Sequence, residues 1–234
     1  MKTYDIAGFS VQLVHKYPYT AQLCRDYEID CAAPDFVLRT NNEEIEAEMA
    51  LCGRNAGSCE AVVLYRKLCN QLPELNAFVL HAAVAETDGR GLALLGASGA
   101  GKSTHMRQWM QYFPDKVRII NGDKPIVRMR DGEFWAYGTP WAGKEHWQRR
   151  ACAPLAALVF VEQAKENKIR RLSTEELLPR IFSQILLPTS EVSGEKLLEM
   201  LDLLVCSIPA YVLHCDISKA AAELSFNTIT GGFK

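Results

Sequence analysis

The chain has 234 residues, 48% of them hydrophobic and 23% charged, a balance that supports one sizeable folded unit with or without a small appendage and excludes a disordered polyelectrolyte. Its formal net charge of -2 offers no basic field for nucleic acid, although an anionic small molecule can still meet a local site. MKTYDIAGFSVQLVH has no uninterrupted apolar stretch after Lys2, and no segment reaches the roughly 20 apolar residues of a membrane helix, so the expected location is the cytoplasm, away from membranes.

In chain order, Phe9 to Val14 alternates in polarity and predicts a strand, within a β-rich N-terminal region over residues 1–56. The acidic segment Glu43 to Glu48 is expected to be a solvated face. Ala61, Leu64, Tyr65 and Leu68 recur at helical spacing, with Ser58 as N-cap and Pro73 as the stop. Ala77 to Ala85 predicts one strand, and Asp88-Gly89 turns it into a second, Leu92 to Leu95. A helix is expected from Lys102 to Tyr112, then strands at 116–120, 125–129, 134–137 and 155–161. Helices over 174–186 and 193–206, a strand over 211–214, a short helix near 218–225 and a loose GGFK tail close the chain. The whole predicts an α/β fold, with residues 57–234 as the second unit and a mixed sheet carrying hairpins around the glycine run.

The eight cysteines contain no CxxC. Cys24 and Cys31 repeat the spacing of Cys52 and Cys59, but that spacing is too wide for a usual zinc pair, so reduced thiols are expected. His15, His105, His146 and His214 form no metal-binding pattern, so no zinc site is predicted.

Gly96-Ala97-Ser98-Gly99-Ala100-Gly101-Lys102-Ser103 fits GxxxxGK[ST] without mismatch, and Thr104 follows. Such a loop must wrap a phosphate so that backbone N–H groups point at its oxygens. Side chains would block that approach, and glycine permits positive φ. The following helix turns its positive end toward the same anion. Residues 96–104 are therefore assigned to nucleotide phosphates, with Lys102 reaching the β- and γ-phosphates and Ser103 offering its hydroxyl to Mg²⁺. Asp123 ends the first apolar strand after the loop helix and is the candidate base or second metal ligand. No NKxD motif is present, and the hairpins on both sides of the loop disfavour Ras-like and RecA-like proteins.

The segments LHAAVAETDGRGLALLGASGAGKSTHMRQWM, IINGDKPIV, FWAYGTPWAGKEHW and PLAALVFVE, within residues 77 to about 165, resemble the HPr kinase/phosphorylase-related kinases. That family shares a phosphate-loop fold with phosphoenolpyruvate carboxykinase, and the resemblance implies Mg²⁺- and ATP-dependent phosphorylation of a hydroxyl, usually a serine. It adds His81, on the strand before the loop, as a contact near the γ-phosphate. Such kinases carry two adjacent aspartates where this chain has Gly122-Asp123. The acceptor is then another hydroxyl-bearing small molecule, peptide or protein, and a homo-oligomeric assembly stays open.

Further candidates follow from the residues themselves. Lys144 could stabilise developing charge, Glu145 could be a second acid, Arg149 and Arg150 could hold an anion, and Glu162 could reach the site from its strand end. Two rival readings are a non-catalytic ATP sensor and a carboxykinase-like enzyme. The latter needs a second metal on lysine, histidine and aspartate, which His81, Lys124 and Asp123 do not visibly assemble in the sequence.

Overall fold

A computed structural model describes residues 2–233. Strands β1 (Lys2–Ile6) and β2 (Phe9–Val14) form a hairpin that buries the alternate residues Tyr4, Ile6, Phe9, Val11 and Leu13. Helix α1 (Pro18–Leu23) follows, and β3 (Glu28–Ile29) and β4 (Phe36–Arg39) complete a sheet in the order β3-β1-β2-β4. The acidic segment lies in helix α2 (Asn42–Cys52), opened by a capping box between Asn41 and Glu44. Glu48 is not solvated as expected: it is buried and paired with Arg66. Helix α3 (Ala56–Gln71) is where the periodicity places it, but its N-cap is Asn55, whose Oδ1 accepts from the Ser58 amide. Leu64 and Leu68 of α3 share one core with the N-terminal sheet and with Ala77, Val79 and Ile126.

The stretch expected as one strand over 77–85 is two, β5 (Ala77–Val79) and β6 (Ala82–Thr87), and the break leaves His81 between them. A hairpin joins β6 to β7 (Arg90–Leu95) through Asp88 and Gly89, both at positive φ as a tight two-residue turn requires. Helix α4 (Lys102–Tyr112) comes next, followed by β8 (Arg118–Asn121), β9 (Ile126–Arg130), β10 (Glu133–Tyr137) and β11 (Cys152–Gln163). Strand β12 (Lys168–Arg171) was not expected, and α5 (Thr174–Phe182) stops short of residue 186. The chain closes with α6 (Glu191–Ser207), β13 (Ala210–Cys215) and α7 (Lys219–Thr230). The tail is not wholly loose, because Phe233 packs on the core and faces the Arg90 guanidinium.

These strands form a nine-stranded mixed sheet in the order β5-β9-β10-β11-β7-β6-β8, with β13 on β11 and β12 on β13. Side chains alternate across β7 and β11. Ala93, Leu95, Leu158 and Phe160 face α5 and α6, while Leu92, Leu94, Val159 and Val161 face α4 and α7. Strands β7, β11 and β13 are adjacent and parallel, so their carboxyl ends open on one edge, where ligands collect in such sheets. Strand β8 pairs antiparallel with β6, so Asp123 follows a strand one removed from β7, not its immediate neighbour. Among the described residues no helix is long and apolar enough to cross a membrane.

Candidate active site

Residues 96–101 link the end of β7 to α4. Gly96, Gly99 and Gly101 have φ of 138°, 82° and 106°, conformations that an L side chain resists. A Cβ on Gly96 would also lie 3.0 Å from the Val161 carbonyl oxygen. Ala97, Ser98 and Gly99 are exposed, and Gly101 caps α4 without a side-chain bond to the first-turn amides. Those amides have no intrahelical partner and point out of the helix start. Lys102 folds back over the loop, its Nζ donating to the Gly96 carbonyl at 2.6 Å and the Ala97 carbonyl at 3.2 Å. Burial lowers its pKa; Asp123 opposes that shift and Lys124 adds to it. A hollow of about 530 Å³ lies over the loop, walled by Phe160, Glu162, Arg180 and Gln184.

Asp123 meets His81 Nε2 at 3.2 Å and Lys124 Nζ at 2.8 Å. Burial pushes its carboxyl up, but the bonds from His81 and Lys124 outweigh that and hold the pKa at about 2. It is therefore an anion at neutral pH. Lys124, His81 and Asp123 lie together as an ion-paired cluster, with His81 in the break between β5 and β6 beside the turn after β8, and both cations engage the carboxylate.

Two residues that the sequence did not single out set this geometry. Asn121 is fully buried, and its Oδ1 accepts from the Asp123 and Lys124 amides at 2.9 and 2.8 Å. Its Nδ2 donates to the Thr139 carbonyl at 2.9 Å, and the Thr139 hydroxyl donates to the Lys124 carbonyl at 2.7 Å. Gln184 spans the two halves of the site. Its Oε1 accepts from the Gly96 amide at 3.3 Å, and its carbonyl accepts from the His81 amide at 2.7 Å. Asn121 carries only a local signal, its place at a strand end, and Gln184 carries none because its contacts are remote in sequence.

The loop after β10 closes over Asp123. Gly143 has φ of 70°, and a Cβ there would lie 2.9 Å from Asp123 Cβ. A Cβ on Gly122 would lie 2.9 Å from the Ala142 carbonyl oxygen and 3.2 Å from Trp147 Cβ, so no second carboxylate fits before Asp123 without moving backbone. The further candidates scatter. Glu145 pairs with Arg107, Arg150 pairs with Asp5 of the N-terminal sheet, and Lys144 and Arg149 are exposed. Glu162 lines the hollow, but Arg180 and His214 engage it. Every cysteine is unbridged, and burial raises the Cys152 pKa.

The sequence matches no protein-family model and no curated protein. Among solved structures, the chain is similar to the HPr(Ser) kinase/phosphatase from Coxiella burnetii, with 9% identity over 66% of this chain and 89% of that one and a TM-score of 0.38. This is a distant likeness of fold.

Proposed function

We propose that the protein is a phosphotransferase that uses Mg²⁺ and ATP to phosphorylate a hydroxyl-bearing acceptor. The observation that carries this reading is the pairing of an unmismatched phosphate loop with an ionised carboxylate, Asp123, tied to it through Gln184, whose Oε1 accepts from the Gly96 amide and whose carbonyl accepts from the amide of His81, the partner of Asp123. Phosphoryl transfer asks for alignment and charge stabilisation more than covalent help, and these groups supply both.

The loop amides of residues 97–104 hold the β- and γ-phosphates, apart from that of Ala100, which donates to the Ala97 carbonyl, while the Gly96 amide stays with Gln184. Lys102 leaves the Gly96 and Ala97 carbonyls for the phosphate oxygens, a better partner for a buried cation. Asp123 orients the acceptor hydroxyl and takes its proton as the new O–P bond forms and the bond from the γ-phosphorus to the bridging oxygen breaks, releasing ADP. A carboxylate with a pKa of about 2 is a weak base, so proton transfer comes late, once His81 and Lys124 turn toward the transferring group. Ser103 and Asp123 would supply the hydroxyl and carboxylate oxygens that suit a magnesium ion. When bound, that ion neutralises charge on the phosphates and fixes their geometry.

A second reading, a non-catalytic ATP sensor, is favoured by the lack of room for a carboxylate at Gly122. The Lys124, His81 and Asp123 cluster also offers the donor types of a carboxykinase-like site. Incubation with γ-labelled ATP, Mg²⁺ and separated small-molecule and protein fractions of a lysate tests all three. The kinase reading expects label on an acceptor with wild type, lost by about 10²–10⁴-fold in Asp123→Asn with ATP affinity kept. Unchanged transfer by Asp123→Asn contradicts it. ATP binding with no labelled acceptor favours the sensor, and phosphoryl transfer to a carboxylate-derived enolate favours the carboxykinase-like reading.

A further inference from the structure

Cys52 and Cys59 bring their sulfurs to 3.5 Å of each other, the one pair of thiols in contact among the described residues. The equally spaced Cys24 and Cys31 make no such contact there. The sulfurs meet because the chain reverses between them. Helix α2 ends at Cys52, Gly53 caps it at φ of 67°, and Asn55 caps the start of α3 just before Cys59.

The two thiols differ in exposure. Cys59 is fully buried, whereas Cys52 is exposed, where packing gives a thiol no use. Helix α2 is also weakly held. Only Ile45 and Glu48 of its side chains are buried, and its hold on α3 runs through the ion pairs Glu48–Arg66 and Glu44–Lys67. Pairs of this kind near a surface stabilise little and are screened by salt.

We propose that Cys52 and Cys59 are a modification site, at which a peroxide forms a reversible disulfide that clamps α2 to α3. The proposal is independent of the phosphotransferase reading. Peroxide reaches the exposed Cys52, whose thiolate attacks one peroxide oxygen. The O–O bond breaks, Cys52 becomes a sulfenic acid, and the other oxygen leaves as water with the proton that Cys52 gave up. The Cys59 sulfur then attacks the Cys52 sulfur. The S–O bond breaks, and the departing hydroxide takes the Cys59 proton and leaves as a second water. In sum, two thiols are oxidised and one hydrogen peroxide is reduced, giving one disulfide and two waters. A resolving thiol already 3.5 Å away meets the sulfenic acid before it oxidises further. The sulfurs must close by about 1.5 Å to reach bonding distance. The turn has room to give, since residues 53–55 are exposed and a Cβ on Gly53 would meet nothing within 4 Å.

Trypsin cuts after Arg54 and parts the two cysteines into peptides 40–54 and 55–66, each with a single cysteine. The reduced full chain is treated with a few equivalents of hydrogen peroxide and its remaining thiols are alkylated. The monomer band of a non-reducing gel is then digested and read by mass spectrometry. The expected result is the two peptides joined, two hydrogens lighter than their sum, ahead of oxidation at the exposed Cys152 and Cys206, and parted again by dithiothreitol. The oxidised protein is expected to melt about 2–8 °C above the reduced protein. Cys52→Ser, an exposed change that the fold tolerates, is expected to show no such gap. Peptides that stay separate while Cys152 or Cys206 is oxidised overturn the proposal, and so does a joined pair that melts no higher than the reduced protein.

Discussion

Gln184 accepts a hydrogen bond from the amide of Gly96, 88 residues away, and through its carbonyl accepts another from His81. One buried residue, through its side chain on one side and its main chain on the other, therefore ties the start of the phosphate loop to the groups around Asp123. Gln184→Leu keeps the volume but leaves the buried Gly96 amide unmet, an expected loss of about 1–3 kcal/mol of stability. In the proposed kinase it also lowers kcat more than it raises KM for ATP, because alignment is lost more than binding. Denaturant unfolding and steady-state kinetics read the two effects. A melting loss with unaltered kcat would leave Gln184 a purely structural residue.

Lys102 is a buried cation that donates to carbonyls of its own loop. Lys102→Met removes the charge and retains the stem. ATP affinity is expected to fall by about 10–100-fold, the worth of a charge-assisted contact, while the ligand-free protein melts no lower than wild type. Nucleotide titration followed by fluorescence or calorimetry checks both halves.

Gly143 touches Asp123 where a side chain cannot. Gly143→Ala would place a Cβ 2.9 Å from Asp123 Cβ and impose a residue at φ of 70°. Displacement of the carboxylate is expected, with transfer reduced at least about tenfold and about 1 kcal/mol or more of stability lost. ATP affinity, set by the loop, should hold.

Asn121→Ala strips two amide bonds and the tie to Thr139 from a fully buried position. It is expected to destabilise by about 2–4 kcal/mol, visible as a lower denaturant midpoint at unchanged slope. Asn121→Asp should fare little better, since it substitutes a buried carboxylate and loses the donor to Thr139.

His105 ties the loop helix to α7, with Nε2 2.8 Å from Ser225 Oγ, and Trp109 Nε1 donates to the same hydroxyl at 2.9 Å. Burial pushes the His105 pKa down from 6.5 to about 4. The unfolded chain takes up this proton first, so the contribution is complete above pH 6.5 and fades as pH falls toward 4, by roughly 3 kcal/mol in all. Stability of His105→Gln measured from pH 7.5 to 4 should decline less steeply than that of wild type. Parallel slopes would show that the titrating group lies elsewhere.

What the sequence made legible was local. The loop residues, the hairpin turn at Asp88-Gly89 and the spacing of α3 each state their geometry within a few positions, and Asp123 follows from being at a strand end. The break at His81 was hidden, because Leu80 and Ala82 continue the same apolar run and only their different partners separate β5 from β6. Helix α2 was hidden because its few apolar positions make almost no amphipathic stripe, and its capping box carries the start. Strand β12, charged and at a sheet edge, has no buried face to betray it. The roles of Gln184 and Gly143 come from contacts across the fold, which no sequence window spans.

The most direct test of the account is a crystal structure with Mg²⁺ and a non-hydrolysable ATP analogue. The account predicts the triphosphate cradled by the loop over residues 96–104, Lys102 Nζ moved from the Gly96 and Ala97 carbonyls onto phosphate oxygens, and the Asp123 carboxylate facing the terminal phosphate. A structure grown at saturating analogue in which Lys102 still donates to those carbonyls, or in which the nucleotide lies away from the loop, would contradict it.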